Sequence, residues 1–166
     1  MKKSPALSIL LNGPKSLKGR KVGALVTDGV DSNILGALKK ALTDEGALLE
    51  IVAPKVGGVE ASDGSWIEAD QKVDGGPSVL YDAVALLTSE DGAKLLATEP
   101  AARDFIADAF AHMKFIGYTE PAAMLFGKAG VPESRDDGFI ALKRSQDCSA
   151  LIAACRQLRY WERAKK

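Results

Sequence analysis

Residues that usually carry catalytic or metal chemistry are scarce in this chain of 166 residues, which has one histidine and two cysteines. Two cysteines exclude a scaffold of several disulfides and a four-cysteine zinc site. A single histidine, His112, excludes sites that are built from several imidazoles. The sequence therefore offers few residues from which an enzyme site could be assembled.

Long apolar runs and an excess of either charge are also missing. No segment approaches the roughly 20 apolar residues of a membrane helix. The first apolar run, residues 6–11, ends at Asn12-Gly13-Pro14 without a small-residue cleavage site, so we expect no signal peptide and a cytoplasmic location. With 22 basic and 22 acidic residues the net charge is zero, which argues against nucleic-acid and membrane-surface partners. Weak charge repulsion between copies favours self-association.

Short apolar runs alternate with segments of helical periodicity along most of the chain. Apolar runs predict strands over residues 21–27, 48–53, 83–87, 115–118 and 139–142. Apolar stripes predict helices over residues 32–45, from 98–100 to about 110, over 122–129 and over 145–162. A tight Asp63-Gly64 turn between residues 59–61 and 66–69 predicts a β-hairpin. Residues 1–19, rich in Pro, Gly and Lys, are predicted to form a linker arm, and residues 20–166 a single domain.

Strands that alternate with amphipathic helices are typical of parallel α/β sheets. The predicted fold is therefore a flavodoxin-like parallel sheet with helices on both faces and a small inserted β-hairpin.

Ligands of such sheets bind beyond the carboxyl ends of the strands. We expect this edge to be acidic and to hold no Lys, Arg, Cys or His. Its polar residues are Asp28, Asp31, Thr88, Ser89, Glu90, Asp91, Tyr118, Thr119 and Glu120. The carboxylates there are expected to cap the helices that follow, where negative charge is favourable. The alternative is a divalent-cation site, because hard oxygen ligands suit magnesium.

Other functional motifs find little support. No G-x-x-x-x-G-K or G-x-G-x-x-G pattern is present, so phosphate and dinucleotide sites are not predicted. A phosphoacceptor receiver domain would need a Lys after the strand that ends at Tyr118, and none is there. Cys148 and Cys155 share the apolar stripe of the last predicted helix, which places them in the core. His112 is expected at a helix end, interacting with the last carbonyls at the opposite edge of the sheet.

Over residues 4–163 the sequence resembles the C-terminal domain of large-subunit monofunctional heme catalases. Three stretches carry the resemblance: GRKVGALVTDGVDSNILGALKKAL, EIVAPKVGGVEASDGSWIEADQKVDGGPSVLYDAVALL and FIADAFAHMKFIGYTEPAAMLFGKAGV. The opening SPALSIL and GPKSLKGR and the closing CRQLRYWER also match that family's linker and tail. The resemblance implies a PfpI-like fold of the class I glutamine-amidotransferase type, in agreement with the fold inferred from periodicity.

The resemblance also implies that catalysis has been lost. Enzymes of the PfpI-like superfamily carry a nucleophilic cysteine after a strand, in a pattern like A-x-I-C-H-G-P. Residues 116–121 correspond to it and hold Tyr118 or Thr119 in place of the cysteine, without the adjacent histidine. Asp31 is the one possible counterpart of the superfamily's acid, and residues 88–92 replace its diglycine. Because no covalent intermediate forms without a thiolate, we expect no catalytic residue. We expect a vestigial pocket made by six of the edge residues: Asp28, Asp31, Glu90, Tyr118, Thr119 and Glu120.

Heme, by the same resemblance, belongs to a separate catalase core, and we expect no cofactor or metal in this chain. The expected function is a non-catalytic accessory domain that supports the stability and assembly of a hydrogen-peroxide-decomposing enzyme, with chaperone-like activity as a further possibility. Its expected partner is the catalase core or further copies of the chain, reached through apolar arm residues: Ile9, Leu10, Leu11 and Leu17. One alternative is a hydrolase or deglycase that acts through Thr119. The other is a ligand- or ion-binding module that uses Asp28, Asp31, Glu90 and Glu120.

Overall fold

A six-stranded parallel sheet lies at the centre of the computed structural model, which describes residues 4–132 and 134–165. Its order is β5-β2-β1-β6-β7-β8, and β3 pairs with β4 in a separate antiparallel hairpin. The strands are β1 (Lys21–Val26), β2 (Leu48–Ala53), β3 (Val59–Glu60), β4 (Trp66–Ile67), β5 (Gln71–Lys72), β6 (Ala83–Leu87), β7 (Ile116–Tyr118) and β8 (Phe139–Ala141). The predicted flavodoxin-like fold is confirmed.

Helices cover both faces of the sheet. They are α1 (Ile9–Asn12), α2 (Ser32–Asp44), α3 (Glu90–Thr98), α4 (Pro100–Ala111), α5 (Met124–Lys128) and α6 (Cys148–Cys155). The apolar residues of α2 and α6 pack on one face of the sheet, and those of α3, α4 and α5 pack on the other. Within the two described ranges, no helix is long and apolar enough to cross a membrane.

Helix α2 forms where its end signals predict it. The Asp31 carboxylate accepts hydrogen bonds from the amides of Asn33 and Ile34 at 2.8 and 3.0 Å, which satisfies free donors of the first turn. The helix buries Ile34, Leu35, Leu38 and Leu42 against the sheet. It is followed by Gly46 at φ +69°, a conformation that favours glycine.

The switch in strand order lies between β1 and β6. The chain runs from β1 to β2 on one side and later returns to β6 on the other, so the carboxyl ends of β1 and β6 flank the switch point. All five residues of β6 are buried, as expected for a strand covered on both faces. In a parallel sheet this is where a ligand site is expected.

The predicted β-hairpin and the predicted burial of the two cysteines are confirmed. The Asp63 carboxylate accepts hydrogen bonds from the amide and the hydroxyl of Ser65 at 3.0 and 2.6 Å, and Gly64 has φ +83°. These contacts fix the predicted turn between β3 and β4. Cys148 and Cys155 are buried in the core on α6.

Three elements differ from the prediction. Helix α3 was not predicted, because Gly92 in its first turn interrupts the helical pattern. The edge strand β5 is only two residues long and carries no apolar signal.

The last helix was predicted over 145–162, but a 3₁₀ turn at Ser145–Asp147 leads into α6, which ends at Cys155. Leu158 has φ +75°, and the amide of Tyr160 donates to Met113 O at 2.7 Å, so tertiary contacts turn the chain away from the helix axis.

The N-terminal segment is partly core. Leu17 is fully buried, so the expectation that it belongs to an exposed arm is wrong. The residues before it form a 3₁₀ turn at Pro5–Leu7 and the short helix α1, held together by the Asn12 amide, which donates to Pro5 O at 2.8 Å. The division of the chain at residue 19 stays a prediction.

Candidate functional site

A cleft of about 160 Å³ opens at the carboxyl ends of β1 and β2, beside the first turn of α3. The residues that line it are Thr27, Asp28, Pro54, Lys55, Val59, Asp91, Gly92 and Leu95. Of the six predicted site residues, only Asp28 lines this cleft. Gly92 is required here because a Cβ at this position would lie 1.9 Å from Thr27 Oγ1, so α3 approaches β1 too closely for any side chain.

Asp28 is held in its charged form. Its carboxylate accepts a hydrogen bond from the Glu60 amide at 3.0 Å and lies 3.2 Å from Lys55 Nζ. The backbone hydrogen bond, assisted by the Lys55 ammonium, lowers the pKa of Asp28 below its ordinary value. The lowered pKa makes Asp28 a weak proton acceptor. The expectation of an edge without Lys is wrong, because the two residues that follow β2 carry Lys55 to this edge.

The carboxylates that open the helices have structural roles. Asp31 caps α2 and lines no part of the cleft. Glu90 is the exposed first residue of α3, where its negative charge faces the positive end of the helix dipole. The cap of α3 is Ser89, whose hydroxyl accepts from the Gly92 amide at 3.1 Å and donates to Asp28 O at 2.6 Å. Asp31 therefore caps its helix as expected, whereas the expectation that a carboxylate caps α3 is wrong, because Ser89 holds that position.

The Thr119 hydroxyl is buried between the ends of β6 and β7. It accepts a hydrogen bond from the Thr88 amide at 3.0 Å. It lies 3.1 Å from Thr88 O and 3.4 Å from Leu86 O, the acceptors for its own proton. The Thr119 hydroxyl therefore both donates and accepts hydrogen bonds within the protein.

Tyr118 packs on the face of the sheet that α3, α4 and α5 cover. Its phenol oxygen accepts a hydrogen bond from Arg135 Nη1 at 3.0 Å, and its ring meets the Phe126 ring edge-on at 5.2 Å. The Arg135 guanidinium also lies 5.1 Å from the centre of the Tyr118 ring. Arg135 comes from the loop before β8, at the amino ends of the parallel strands, and its guanidinium reaches Tyr118 from there.

The backbone after β7 lacks the shape that presents a nucleophile. A nucleophile at a strand-to-helix junction sits on a sharp, strained turn. Thr119 has ordinary extended angles, φ −82° and ψ 153°, and Glu120 opens a 3₁₀ turn with its side chain exposed. In the part of the chain that the structure describes, only Met113 and Leu158 among non-glycine residues have positive φ. The turn therefore continues the strand without strain.

The remaining candidate nucleophiles and bases lie elsewhere. Burial raises the pKa of both thiols, that of Cys155 to about 12, so neither forms a thiolate near neutral pH. His112 is exposed at the end of α4, and its amide donates to Asp108 O at 2.9 Å. This is the predicted helix end, at the amino edge of the sheet. Among residues 4–132 and 134–165, no three His, Cys, Asp or Glu side chains are grouped to hold a metal ion.

The edge residues therefore form separate hydrogen-bonded units. Asp28 pairs with Lys55, Tyr118 with Arg135 and Thr119 with Thr88. The position of Lys55 could have been inferred from the sequence, because it follows a predicted strand at the same edge. The position of Arg135 could not have been inferred in this way, because the loop that carries it has no periodic pattern.

Comparisons with known proteins agree on one family. A family model described as the C-terminal domain found in long catalases matches residues 18–165. Catalase C of Rhizobium meliloti is 51% identical over 160 residues, which cover 96% of this chain and 23% of that protein. Catalase HPII of Pseudomonas putida is 30% identical over 162 residues, with 96% and 22% covered. The chain thus spans less than a quarter of the length of these relatives.

A solved structure with the same fold is that of a cysteine-to-alanine mutant of a DJ-1 superfamily protein from Salmonella typhimurium. It superposes with a TM-score of 0.69 and covers 88% of this chain and 96% of its own. The sequence identity is 22%, so this likeness shows the fold alone.

Proposed function

The chain belongs to the family of C-terminal domains found in long catalases, and from that premise we propose that it is a non-catalytic accessory domain of a hydrogen-peroxide-decomposing enzyme. In this proposal it supports the stability and assembly of a heme-containing core. Its partners are that core and further copies of the chain, in the cytoplasm.

The occupied hydroxyl of Thr119 is the observation that carries the non-catalytic part of the proposal. A threonine acts as a nucleophile only when a base can remove its proton. The hydroxyl of Thr119 faces Thr88 O and the Thr88 amide instead of a base. Tyr118, the other residue at the position of the superfamily's cysteine, has its phenol bonded to the Arg135 guanidinium. Neither oxygen is placed to attack a carbonyl.

The side chains present do not fit a heme, so the proposal assigns heme to the preceding core. Axial heme ligands in proteins include His and Tyr side chains that face a deep apolar cavity. His112 is exposed at a helix end, and Tyr81 and Tyr118 are packed inside the protein. The Tyr160 ring meets the Phe115 ring edge-on, with 6.0 Å between their centres.

An apolar surface on the N-terminal arm supports the accessory role. Four large aliphatic side chains within five residues are more than half exposed: Leu7, Ile9, Leu10 and Leu11. Exposed apolar groups that lie together mark contact surfaces. In the proposal this arm contacts the rest of the assembly. The same apolar patch favours chaperone-like binding of unfolding polypeptides.

A chimeric catalase tests the proposal. This chain replaces the matching C-terminal quarter of Catalase C from Rhizobium meliloti, and the half-life of peroxide decomposition is measured at a raised temperature. Leu10→Ser with Leu11→Ser should shorten the half-life by about tenfold, since contacts worth on the order of 1 to 2 kcal/mol are lost.

Val56→Ser is the matched control, because Val56 is 76% exposed and lies outside the arm. It should leave the half-life within about twofold of the parent chimera, as is usual for surface substitutions. Equal half-lives for the arm variant and the control would contradict the accessory role of the arm.

A further inference from the structure

A groove of about 790 Å³ lies between α2 and the β3–β4 hairpin. Its apolar lining consists of Leu35, Leu49, Ile51, Trp66 and Ile67. The Trp66 side chain is 59% exposed, and its indole N–H donates to Gly57 O at 3.1 Å, which holds the ring in place. A ring fixed at the rim of an apolar groove provides rigid contact area for a partner.

The rim of the groove carries negative charge. Asp63, Glu68 and Asp70 line it together with one cation, Lys39. None of these four side chains forms an ion pair within the described ranges. The groove therefore suits a segment that is both apolar and basic.

The N-terminal arm has these complementary properties. The arm, residues 1–19, includes four Lys and no Asp or Glu. Lys15 and Lys18 are exposed and pair with no carboxylate in the described part of the chain. The arm also presents the four exposed aliphatic side chains at positions 7, 9, 10 and 11. Apolar contact supplies affinity in such an interface, and complementary charge supplies specificity and a faster approach.

The arm of a chain does not lie in its own groove. It packs at the end of α2, where the Gly19 amide donates to Gly46 O at 2.9 Å and Leu17 enters the core. The groove runs along α2 from Ser32 to Lys39, and none of its lining residues belongs to the arm. The last five residues of α2, a rise of about 7 Å, lie between Lys39 and the helix end where the arm packs.

We propose that two copies of this chain associate reciprocally, each placing its N-terminal arm in the groove of the other. The inference rests on the proposed function, because both treat the arm as an assembly surface. It adds that the groove of a second copy covers the arm. Two equivalent contacts related by a two-fold axis close the assembly at a dimer. Zero net charge opposes this association only weakly.

The mass of the full chain in solution tests the dimer. Light scattering behind size-exclusion chromatography should show a dimer at about 100 µM that dissociates on dilution. Leu10→Ser in the arm and Glu68→Lys in the groove should each raise the dimer dissociation constant by about tenfold or more. Salt near 1 M should weaken the parent dimer and change the Glu68→Lys variant less, because screening removes the charge contribution.

Two controls match these changes. Val56→Ser repeats the apolar-to-polar change, and Asp104→Lys repeats the charge reversal at an exposed residue of α4 on the other face of the sheet. Both should dimerise like the parent, and circular dichroism melting checks that all variants fold. A monomer at every concentration, or a Glu68→Lys dimer as tight as the Asp104→Lys dimer, would overturn the inference.

The chimeric catalase separates this inference from the proposed function. A shorter heat half-life with Leu10→Ser but an unchanged half-life and dimer with Glu68→Lys would show that the catalase core covers the arm. The accessory role would then stand and the arm–groove contact would fail. A half-life that neither variant changes, together with a dimer that both weaken, would support the arm–groove contact and contradict the accessory role.

Discussion

The Thr119 hydroxyl lies 3.0 Å from the Thr88 amide nitrogen and 3.1 Å from the Thr88 carbonyl oxygen, and so joins the ends of β6 and β7. This pair lies at the strand end where the resemblance to the PfpI-like superfamily implies a nucleophilic cysteine. The same hydroxyl that could have been a substitute nucleophile is instead part of the protein's internal hydrogen bonding. Loss of this hydroxyl should therefore lower the stability of the protein.

Replacing Thr119 tests this structural role. Thr119→Val keeps the shape of the side chain and leaves the buried Thr88 amide without its partner, which should lower the free energy of unfolding by about 1 to 3 kcal/mol. Thr119→Ser keeps the hydroxyl and should lose less. Urea unfolding followed by circular dichroism measures both, and a Val variant as stable as the Ser variant would contradict the role assigned to the hydroxyl.

Gly92 should not tolerate a side chain. A Cβ there would lie 1.9 Å from Thr27 Oγ1 and 2.3 Å from Thr27 Cβ, so Gly92→Ala forces α3 away from β1. We expect a loss of about 1 to 3 kcal/mol in unfolding free energy. Gly127→Ala in α5 is the control, because nothing lies within 4 Å of a Cβ there, and it should raise stability by up to about 1 kcal/mol. Similar changes in unfolding free energy for Gly92→Ala and Gly127→Ala would contradict the close approach of α3 to Thr27.

Lys114 should make stability depend on pH in the alkaline range. It is 2% exposed, its ammonium donates to Ser78 O, and burial, assisted by the Arg159 charge, lowers its pKa to about 8. The unfolded chain holds this proton up to its ordinary pKa of 10.5, so the unfolded state binds more protons between these values. Stability therefore rises with pH from about 8 to about 10.5, by up to about 3 kcal/mol from this group.

The Lys114→Met variant provides the reference for that measurement. It cannot titrate at this position, so the difference in unfolding free energy between parent and variant should change across the window. If the unfolding free energies of parent and variant changed in parallel from pH 7 to about 10.5, Lys114 would not be buried as a charged group.

The Arg163–Asp136 pair should hold the C-terminal segment to the sheet. Its two nitrogen–oxygen distances are 2.7 and 2.9 Å, and both side chains are less than a tenth exposed. Arg163→Met leaves the Asp136 carboxylate buried without its cation and should cost about 3 to 5 kcal/mol. Lys165→Met breaks an exposed pair with Glu162 and should change stability by less than about 0.5 kcal/mol. Urea midpoints that do not distinguish the two would contradict this ranking.

The sequence predicted those parts of the fold that rest on local signals. Continuous apolar runs located β1, β2 and β6, and the Asp31 cap with Gly46 bounded α2. The sequence did not predict the end of α6, because the chain turns at Leu158 and Tyr160 bonds to Met113, a residue of the turn after α4 that is distant in sequence. Helix α3 was missed for a similar reason, since Gly92 is required by packing on Thr27 and weakens the local helical signal.

The sequence predicted the edge of the sheet at which the candidate site lies, but of the six predicted residues only Asp28 lines the cleft. Strand ends identified Asp28 and Thr119 as edge residues. The partner of Thr119 lies 31 residues away in sequence, and Arg135 reaches Tyr118 from an irregular loop. Such pairings follow from how strands and loops come together in three dimensions, and no spacing in the sequence marks them.

Turnover by the purified chain tests the central claim, that no residue at the end of β7 acts as a nucleophile. The protein is incubated with an activated ester and with a methylglyoxal-modified peptide, and product formation and intact mass are followed for the parent, Tyr118→Phe and Thr119→Val. We predict equal background rates for all three and an unchanged mass. A parent that turns over either substrate and loses that activity on substitution of Tyr118 or Thr119 would contradict the account.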